Sequence, residues 1–569
     1  MCGFAGYYKG LKANTGISEE LLSHMQKTIE HRGPDHSGIW KSDNHGIGLA
    51  FQRLSIVDLS VNGAQPMQDA ERSVVICFNG EIYNHLEIRH ELIKLGYSFS
   101  SHSDTQTLIY AYKAWGIACL ERLEGMFAFA LFDIEKNELF LVRDRMGIKP
   151  LYFSLQGDTV SFASEIKALW PLPWMKKSIS SVAAYHYLTF MVTPAPYTIF
   201  EGVYKLPAGF YAHIKSDLSV SYVEWYTPLK SLSVAEKKQF KDEQFCIEGI
   251  STLLQASVKR RMLADVPVGA FLSGGLDSSL TVALMAQHSS NLKTFTVAFS
   301  DGPEFNELQW ARKVAEQFGT DHHEIIISEK EAFSFYEQMT YHLDEPLADC
   351  VCIPFYYVSK CAKEAGITVA QVGEGADELF FGYELYARYK HLFENYWKPV
   401  QKFVPNFAKK ALYYGAKRAL PKHSNPLDLL YNLAYERPLF WGGAVAFNEH
   451  QKKAMSLGLL KEISYDPVVA KIYPGMQQTE DSFSVVDYHL KNLLDADPTA
   501  DFGKQMMYLE LKQRLPELLL MRADKMSMAV GVEGRVPFLD HSLVEFALNI
   551  PLSLKFKDKA PKFQCAAVL

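Results

Sequence analysis

Along the first 205 residues, apolar positions come in short β-branched and aromatic runs broken by Gly, Asn and Asp, at 73–78, 127–133, 139–143 and 160–163. Runs of this length bounded by turn formers predict strands. Helical spacing predicts helices at 18–31, 84–95 and 105–115, so this part is expected to be α+β, with stacked antiparallel sheets between helices. Past Pro194, Pro196 and Pro207 the chain turns through connecting strands to a polar run at 231–241, read as a linker. The rhythm then changes to helix 243–264, strand 267–272, helix 278–288, strand 294–299, helix 307–318 and strand 323–327. Such alternation predicts a doubly wound α/β parallel sheet with its ligand at the carboxyl ends of the strands. Beyond about Tyr383 the pattern is mostly helical. The expected division is therefore 1–205, a connecting stretch 206–241, and 242–569.

Composition narrows the function classes. The 569 residues carry 58 Lys/Arg against 65 Asp/Glu, a net charge of −7, and no Lys/Arg block stands out, so no nucleic-acid partner is expected. No apolar run reaches the roughly 18 residues a bilayer span needs, so no membrane partner is expected either. Eight cysteines at 2, 77, 119, 246, 350, 352, 361 and 565 form no CxxC pair, and the N-terminus has no export pattern, which points to a reducing cytoplasm.

Position 2 then matters chemically. Cys2 precedes a glycine, and removal of the initiator methionine would leave its thiol beside its own α-amine, whose reference pKa near 8 suits a general base. In order after it come His31-Arg32-Gly33-Pro34-Asp35, Gln52-Arg53-Leu54, Phe78-Asn79-Gly80-Glu81-Ile82-Tyr83-Asn84 and Ser103-Asp104-Thr105. Asn79-Gly80 is read as lying between a strand and a helix, where an amide side chain and a backbone N–H can meet a tetrahedral oxyanion.

This series resembles class II glutamine amidotransferases, a family of N-terminal nucleophile hydrolases. The resemblance implies that Cys2 attacks glutamine, that Asn79 and Gly80 form the oxyanion site, that Arg53 holds the glutamine α-carboxylate and Asp104 its α-ammonium, and that Glu81 joins the glutamine-binding set. Arg143-Asp144-Arg145, Gly147 to Tyr152 and Phe162 to Lys167 also resemble the family and read as scaffold, while Gln106 stands where relatives usually carry Glu.

A second constellation is Leu272-Ser273-Gly274-Gly275-Leu276-Asp277-Ser278-Ser279, which follows a predicted strand and opens a predicted helix. Glycines, hydroxyls and helix N-terminal amides converge there as an anion cradle, and the chain has no GxxxxGK[ST]. The pattern resembles the PP-loop of ATP pyrophosphatases, which make acyl adenylates. Gly373-Glu374-Gly375-Ala376-Asp377-Glu378 resembles the second signature of asparagine synthetases and β-lactam synthetases, and Asp344-Glu345-Pro346 with Asp349, Met521 to Met528, and Glu533 to Asp540 resemble other blocks of the family pattern. The resemblance, which spans residues 1–569, implies ATP at Leu272, Ser273, Gly274, Gly275, Asp277, Ser278, Val297 and Gly373. It implies Mg2+ at Asp277 and Asp377, Glu374 beside the acceptor, and Lys562 neutralising pyrophosphate. The family's habit allows a homodimer.

Departures bear on the acceptor. Val372 replaces a usual Ser, Asn306 an Asp, Phe381 a Gly, and Ala566 an expected arginine; seven residues follow Lys562 where relatives continue. Aspartate is the expected acceptor, with another carboxylate, such as a sugar uronate of surface polysaccharide synthesis, as the alternative. A glutaminase or binding module with an inactive synthetase half is a third reading.

Overall fold

The computed structural model describes residues 2–11, 16–302, 304, 306–421, 424–455, 465–478 and 481–556. Its N-terminal strands are β1 (Gly3–Tyr8), β2 (His36–Ser42), β3 (Ile47–Arg53), β4 (Met67–Gln68), β5 (Val74–Ile82), β6 (Gly125–Asp133), β7 (Glu138–Arg143), β8 (Tyr152–Leu155), β9 (Val160–Ala163), β10 (Val203–Lys205), β11 (Phe210–Ile214) and β12 (Val220–Glu224). They form two antiparallel sheets, ordered β10-β8-β9-β1-β3-β2 and β12-β11-β7-β6-β5-β4. β11 and β12, within the stretch read as connecting, complete the second sheet through β7.

Side chains explain the layers. Phe4 and Tyr8 of β1 point between the sheets with Leu49, Phe51, Val75 and Cys77, while Ala5 and Tyr7 on the opposite face meet Leu22 and Met25 of α1 (Glu19–Lys27). Ser18 caps that helix by accepting from the N–H of Leu21. On the second sheet Val74, Ile76 and Phe78 pack outward on α2 (His85–Lys94) and α3 (Asp104–Trp115). Strands covered on both faces read as unbroken apolar runs, which is why alternation is absent at 73–78. Each Leu or Phe fully buried in these layers contributes about 1.5–3 kcal/mol.

The C-terminal part is built on a parallel sheet of β13 (Val268–Phe271), β14 (Lys293–Phe299), β15 (Asp321–Ile327), β16 (Val369–Gln371) and β17 (Glu533–Arg535), in the order β15-β14-β13-β16-β17. α4 (Glu243–Arg260) precedes the sheet, α5 (Leu276–Ala286) joins β13 to β14, α6 (Leu308–Phe318) joins β14 to β15, and α7 (Cys352–Glu364) leads into β16. The winding goes outward from β13 in one direction and resumes on its other side at β16. A crevice therefore opens at the carboxyl ends of β13 and β16, the switch point where such sheets bind ligands.

The two halves meet across buried charge. Arg32, fully buried, donates to Glu165 at 2.7 Å and to Asp524 at 2.8 Å. Glu517 receives Arg143 at 3.2 Å and Lys205 at 3.3 Å, and Asp344 receives Lys167 at 2.9 Å and Lys525 at 2.8 Å. A lone charge at such depth costs several kcal/mol, so mutual pairing is what permits the contact. Beside it, Leu54 and Ile56 pack on Val369 and on Met528. Here α8 (Lys398–Phe403), α9 (Asn406–Ala419) and α10 (Leu520–Met528) are helices that follow β16. The N–H of Asp265 donates to Ile56 O at 2.9 Å, and the N–H of Asp58 to the Asp265 carboxylate at 2.8 Å.

Candidate active site

The pairing Gly3↔Gln52 brings Cys2 level with Arg53 on the neighbouring strand. The Cys2 N–H donates to Asn79 Oδ1 at 3.0 Å, its Sγ lies 3.8 Å from Leu54 O, and its carbonyl accepts from Arg32 Nε at 3.1 Å. Burial pushes the thiol above its usual pKa, opposed by the nearby N-terminal charge, the Leu54 contact and Arg53. An adjacent amine able to take the proton thus has a clear task.

Asn79 and Gly80 lie within β5, paired with Ala128 and Phe127, and the strand continues to Ile82; the reading of a strand end before Asn79 is corrected by this ladder. At Gly80 a Cβ would run into the Met126 carbonyl, so the close pairing with β6 requires glycine. Asn79 is fully buried, and its Nδ2 has no hydrogen-bond partner among the described residues. A buried amide donor left unpaired beside a thiol is suited to an oxyanion.

Around it, Arg53 donates to Ser60 O at 2.9 Å and to Asp58 O, which fixes its guanidinium on the 54–63 loop. Asp104 opens α3 behind its N-cap Ser103 and accepts from the N–H of Ile82 at 3.0 Å; burial raises its pKa to about 6. Glu81 is buried 3.6 Å from Arg535 of β17, and burial together with Glu533 pushes its pKa well up. Gln106 accepts from the N–H groups of Ser100 and Ser101 at 3.0 and 2.9 Å, and the Ser101 hydroxyl donates to Asp58 at 2.6 Å. A neutral amide there braces, through Ser101 and Asp58, the loop that holds the Arg53 guanidinium.

At the switch point lies a cavity of about 530 Å3 lined by Leu272, Ser273, Gly275, Asp277, Ser278, Val297, Gly373, Glu374 and Asp377, among others. Ser273 and Ser278 hydroxyls lie 3.1 Å apart and Ser273 Oγ accepts from the Gly275 N–H at 3.2 Å, which shapes the loop before α5. Gly274 turns with φ +82°, and a Cβ there would meet the backbone of Trp310 and Ala311 at 2.6 and 2.5 Å. Gly275 caps α5 without a side chain, so the first N–H groups of the helix are available to an anion.

Two cations that line the cavity were not among the sequence candidates. Arg522, on α10, donates to Asp349 and Glu374 at 2.5 Å each, and Arg514 lies 3.2 Å from Glu510 and 4.6 Å from the Tyr383 ring centre. Arg522 falls in the 521–528 block that resembles the family but carries no assigned role there, and Arg514 sits beside an apolar helical stretch. Burial pushes Glu378 up to about 8, with Arg514 opposing, and Tyr383 donates to it at 2.8 Å. Of the departures, Val372 lines the cavity, whereas Phe381 is buried against Tyr386 and Phe556 and adds no bulk to it. Asn306 clips the end of β14 by exchanging hydrogen bonds of 2.7 and 2.8 Å with the Phe299 backbone. Lys562 and Ala566 lie outside the described residues.

The family described as "Asparagine synthase" matches residues 249–564, and the "Glutamine amidotransferase domain" matches residues 1–226. Over 571 residues the chain is 35% identical to "Asparagine synthetase [glutamine-hydrolyzing] 1" of Bacillus subtilis, covering 99% of this chain and 83% of that protein. A "Putative asparagine synthetase [glutamine-hydrolyzing]" of Mycobacterium bovis is 33% identical over 99% of this chain and 84% of its own. "Amidase chry2" of Gibberella zeae is 28% identical over 98% and 84%. Fold and comparisons define a ligase class that joins a glutamine amidotransferase to an ATP-dependent synthetase. Within that class, the chain belongs to the asparagine synthetase family.

Proposed function

We propose that the chain is a glutamine-hydrolysing asparagine synthetase, organised as a glutaminase region 1–205, a connecting stretch 206–241 and a synthetase region 242–569. The carrying observation is the Asn79 amide, which accepts from the Cys2 N–H while its buried Nδ2 is without a partner among the described residues. The Cys2 amine takes the thiol proton, and sulfur attacks the side-chain amide carbon of glutamine. Asn79 and Gly80 N–H groups hold the oxyanion, and collapse expels ammonia, carrying that proton, to leave a thioester that water hydrolyses to glutamate. Arg53 and Asp104 hold the α-carboxylate and α-ammonium, with Glu81 beside them.

In the second cavity the acceptor carboxylate attacks the α-phosphate of ATP, giving an acyl adenylate and pyrophosphate. Ammonia passing within the protein adds to the acyl carbon and expels AMP. Leu272, Ser273, Gly274, Gly275, Asp277, Ser278 and Gly373 cradle the nucleotide, Val297 faces adenine, Glu374 orients the amine, and the role kept for Lys562 is to neutralise pyrophosphate. Asp277 and Asp377 line one cavity beside a phosphate cradle, and no group of three His, Cys, Asp or Glu among the described residues forms a protein-only cage. Two carboxylates plus phosphate oxygens is the donor set Mg2+ prefers, and these two residues would hold it; bound there, it neutralises charge on the leaving pyrophosphate.

Aspartate as acceptor is supported by the names of the relatives. Val372 on the cavity wall and the amidase among the relatives favour a second reading, amidation of another carboxylate such as a sugar uronate. Pyrophosphate release measured across aspartate and uronic acids tests both. Release with aspartate alone supports the first, release with a uronate alone the second, and release with no carboxylate overturns adenylation altogether.

A further inference from the structure

The 395–427 segment contains Lys398, Lys402, Lys409, Lys410, Lys417, Arg418 and Lys422 and no Asp or Glu, in a chain whose net charge is −7. Of these, Lys398, Lys402, Lys410, Lys417 and Arg418 are exposed on the successive helices α8 and α9, whereas Lys409 is buried. α9 is fastened by one face, where Lys409 and Tyr413 are buried and Tyr413 packs with Leu427 and Ala434. At 100° per residue the side away from them presents Phe407, Tyr414 and Arg418, with Lys410 and Lys417 on the flank, and all five are exposed. Phe407 is 76% exposed and Tyr414 53%; Phe403, which ends α8, is 74% exposed with Lys402 Nζ 5.2 Å from its ring centre. None of these residues lines the nucleotide cavity.

Exposed phenyl rings are unfavourable in water, and their placement among long cations on the outward side of a helix is the pattern of helices that lie in a bilayer interface. Rings enter the acyl boundary while lysines reach the headgroup phosphates. The face is the outer side of a helix and not a groove, which suits a broad, flat anionic surface better than a nucleic-acid strand, for which a basic groove is the usual receptor. We propose that the outward face of α8 and α9 docks this protein reversibly on an anionic lipid bilayer. The absence of a spanning helix among the described residues concerns insertion, and this contact needs none.

The test is flotation of the full chain with phosphatidylcholine vesicles, with and without about 40% phosphatidylglycerol, at about 0.05 M and 0.3 M salt. At least about tenfold more protein should float with the anionic vesicles at low salt, and the excess should collapse at high salt. F403S/F407S and K410E/K417E should each lower binding about tenfold while glutaminase activity is unchanged. The two variants alter different chemistry, so misfolding of one leaves the other as the test. The proposal is overturned by equal flotation with neutral vesicles, by folded variants that bind undiminished, or by no vesicle binding. In the last case, a dimer in sedimentation velocity that the variants dissolve would assign the face to a second copy of the chain, and RNA binding lost in them would assign it to nucleic acid.

Discussion

Replacing Asn79 with alanine removes two things at once. The Nδ2 donor, buried and without a partner among the described residues, disappears, and so does the Oδ1 that holds the Cys2 N–H at 3.0 Å. Loss of one oxyanion donor costs about 2.7–4 kcal/mol of transition-state stabilisation, or 10²–10³ in kcat. The lost hydrogen bond to the amine adds about 1 kcal/mol by loosening the base. Glutamine kcat/KM should therefore fall between about 10² and 10⁴, mostly in kcat, because the oxyanion exists only on the way to the thioester. Asn79→Asp keeps the acceptor and puts a carboxylate where negative charge develops, so it should be at least as impaired. Glutamate release and ammonia-driven pyrophosphate release, followed in parallel, form the assay. The reasoning is refuted by a fall below about tenfold, or by a change confined to KM, or by an equal loss of the ammonia-driven reaction.

Other expectations concern separate links. Cys2→Ala should abolish glutamine use and leave ammonia-dependent synthesis, whereas Asp277→Asn should stop pyrophosphate release and spare glutaminase activity; loss of both activities in either variant contradicts two sites. The Asp104 carboxylate, raised to about 6, must be ionised to meet an ammonium, so KM for glutamine should climb as pH drops below about 6, and Asp104→Asn should be high and flat across that range. The same raised pKa means the folded state binds the extra proton between about pH 4 and 6, and ionisation costs roughly 3 kcal/mol as pH rises through that window. Without glutamine, Asp104→Asn should accordingly unfold at higher urea than wild type at pH 7, with the gap closing toward pH 4. Arg32→Met takes the guanidinium 2.7 and 2.8 Å from buried Glu165 and Asp524 and leaves them to Lys167 and to Lys149 at 3.4 Å, so it should cost about 3 kcal/mol in denaturant unfolding; a cost under about 1 kcal/mol would mean the pairs add nothing.

Much of this was legible because the chemistry is local in sequence. Strand-loop-helix at 268–286 places Ser273 and Asp277 by period alone, and short apolar runs announced the two sheets. The extension of β5 through Asn79 was missed because a polar Asn-Gly pair reads as a turn, while here the pairing with β6 overrides local preference. Arg32, Glu165 and Asp524 illustrate a second limit. A buried charge looks like a surface charge until its partner, 492 positions away in the case of Arg32 and Asp524, is brought beside it. Arg514 was hidden in the same way, and Arg522, although inside the family-like 521–528 block, gains a role only from the cavity-facing side that the tertiary fold defines.

The paired charges between the two halves carry one more consequence. Swinging the halves apart would pull Arg32 from Asp524, Arg143 and Lys205 from Glu517, and Lys167 from Asp344, and Glu517 would lose both of its basic partners at once. A hinge that opens and shuts at every turnover would have to climb that barrier repeatedly. The joint is thus a weld, and the give needed to admit substrates falls to single loops such as 54–63, whose movement would be felt at once by Asp265 on the far side.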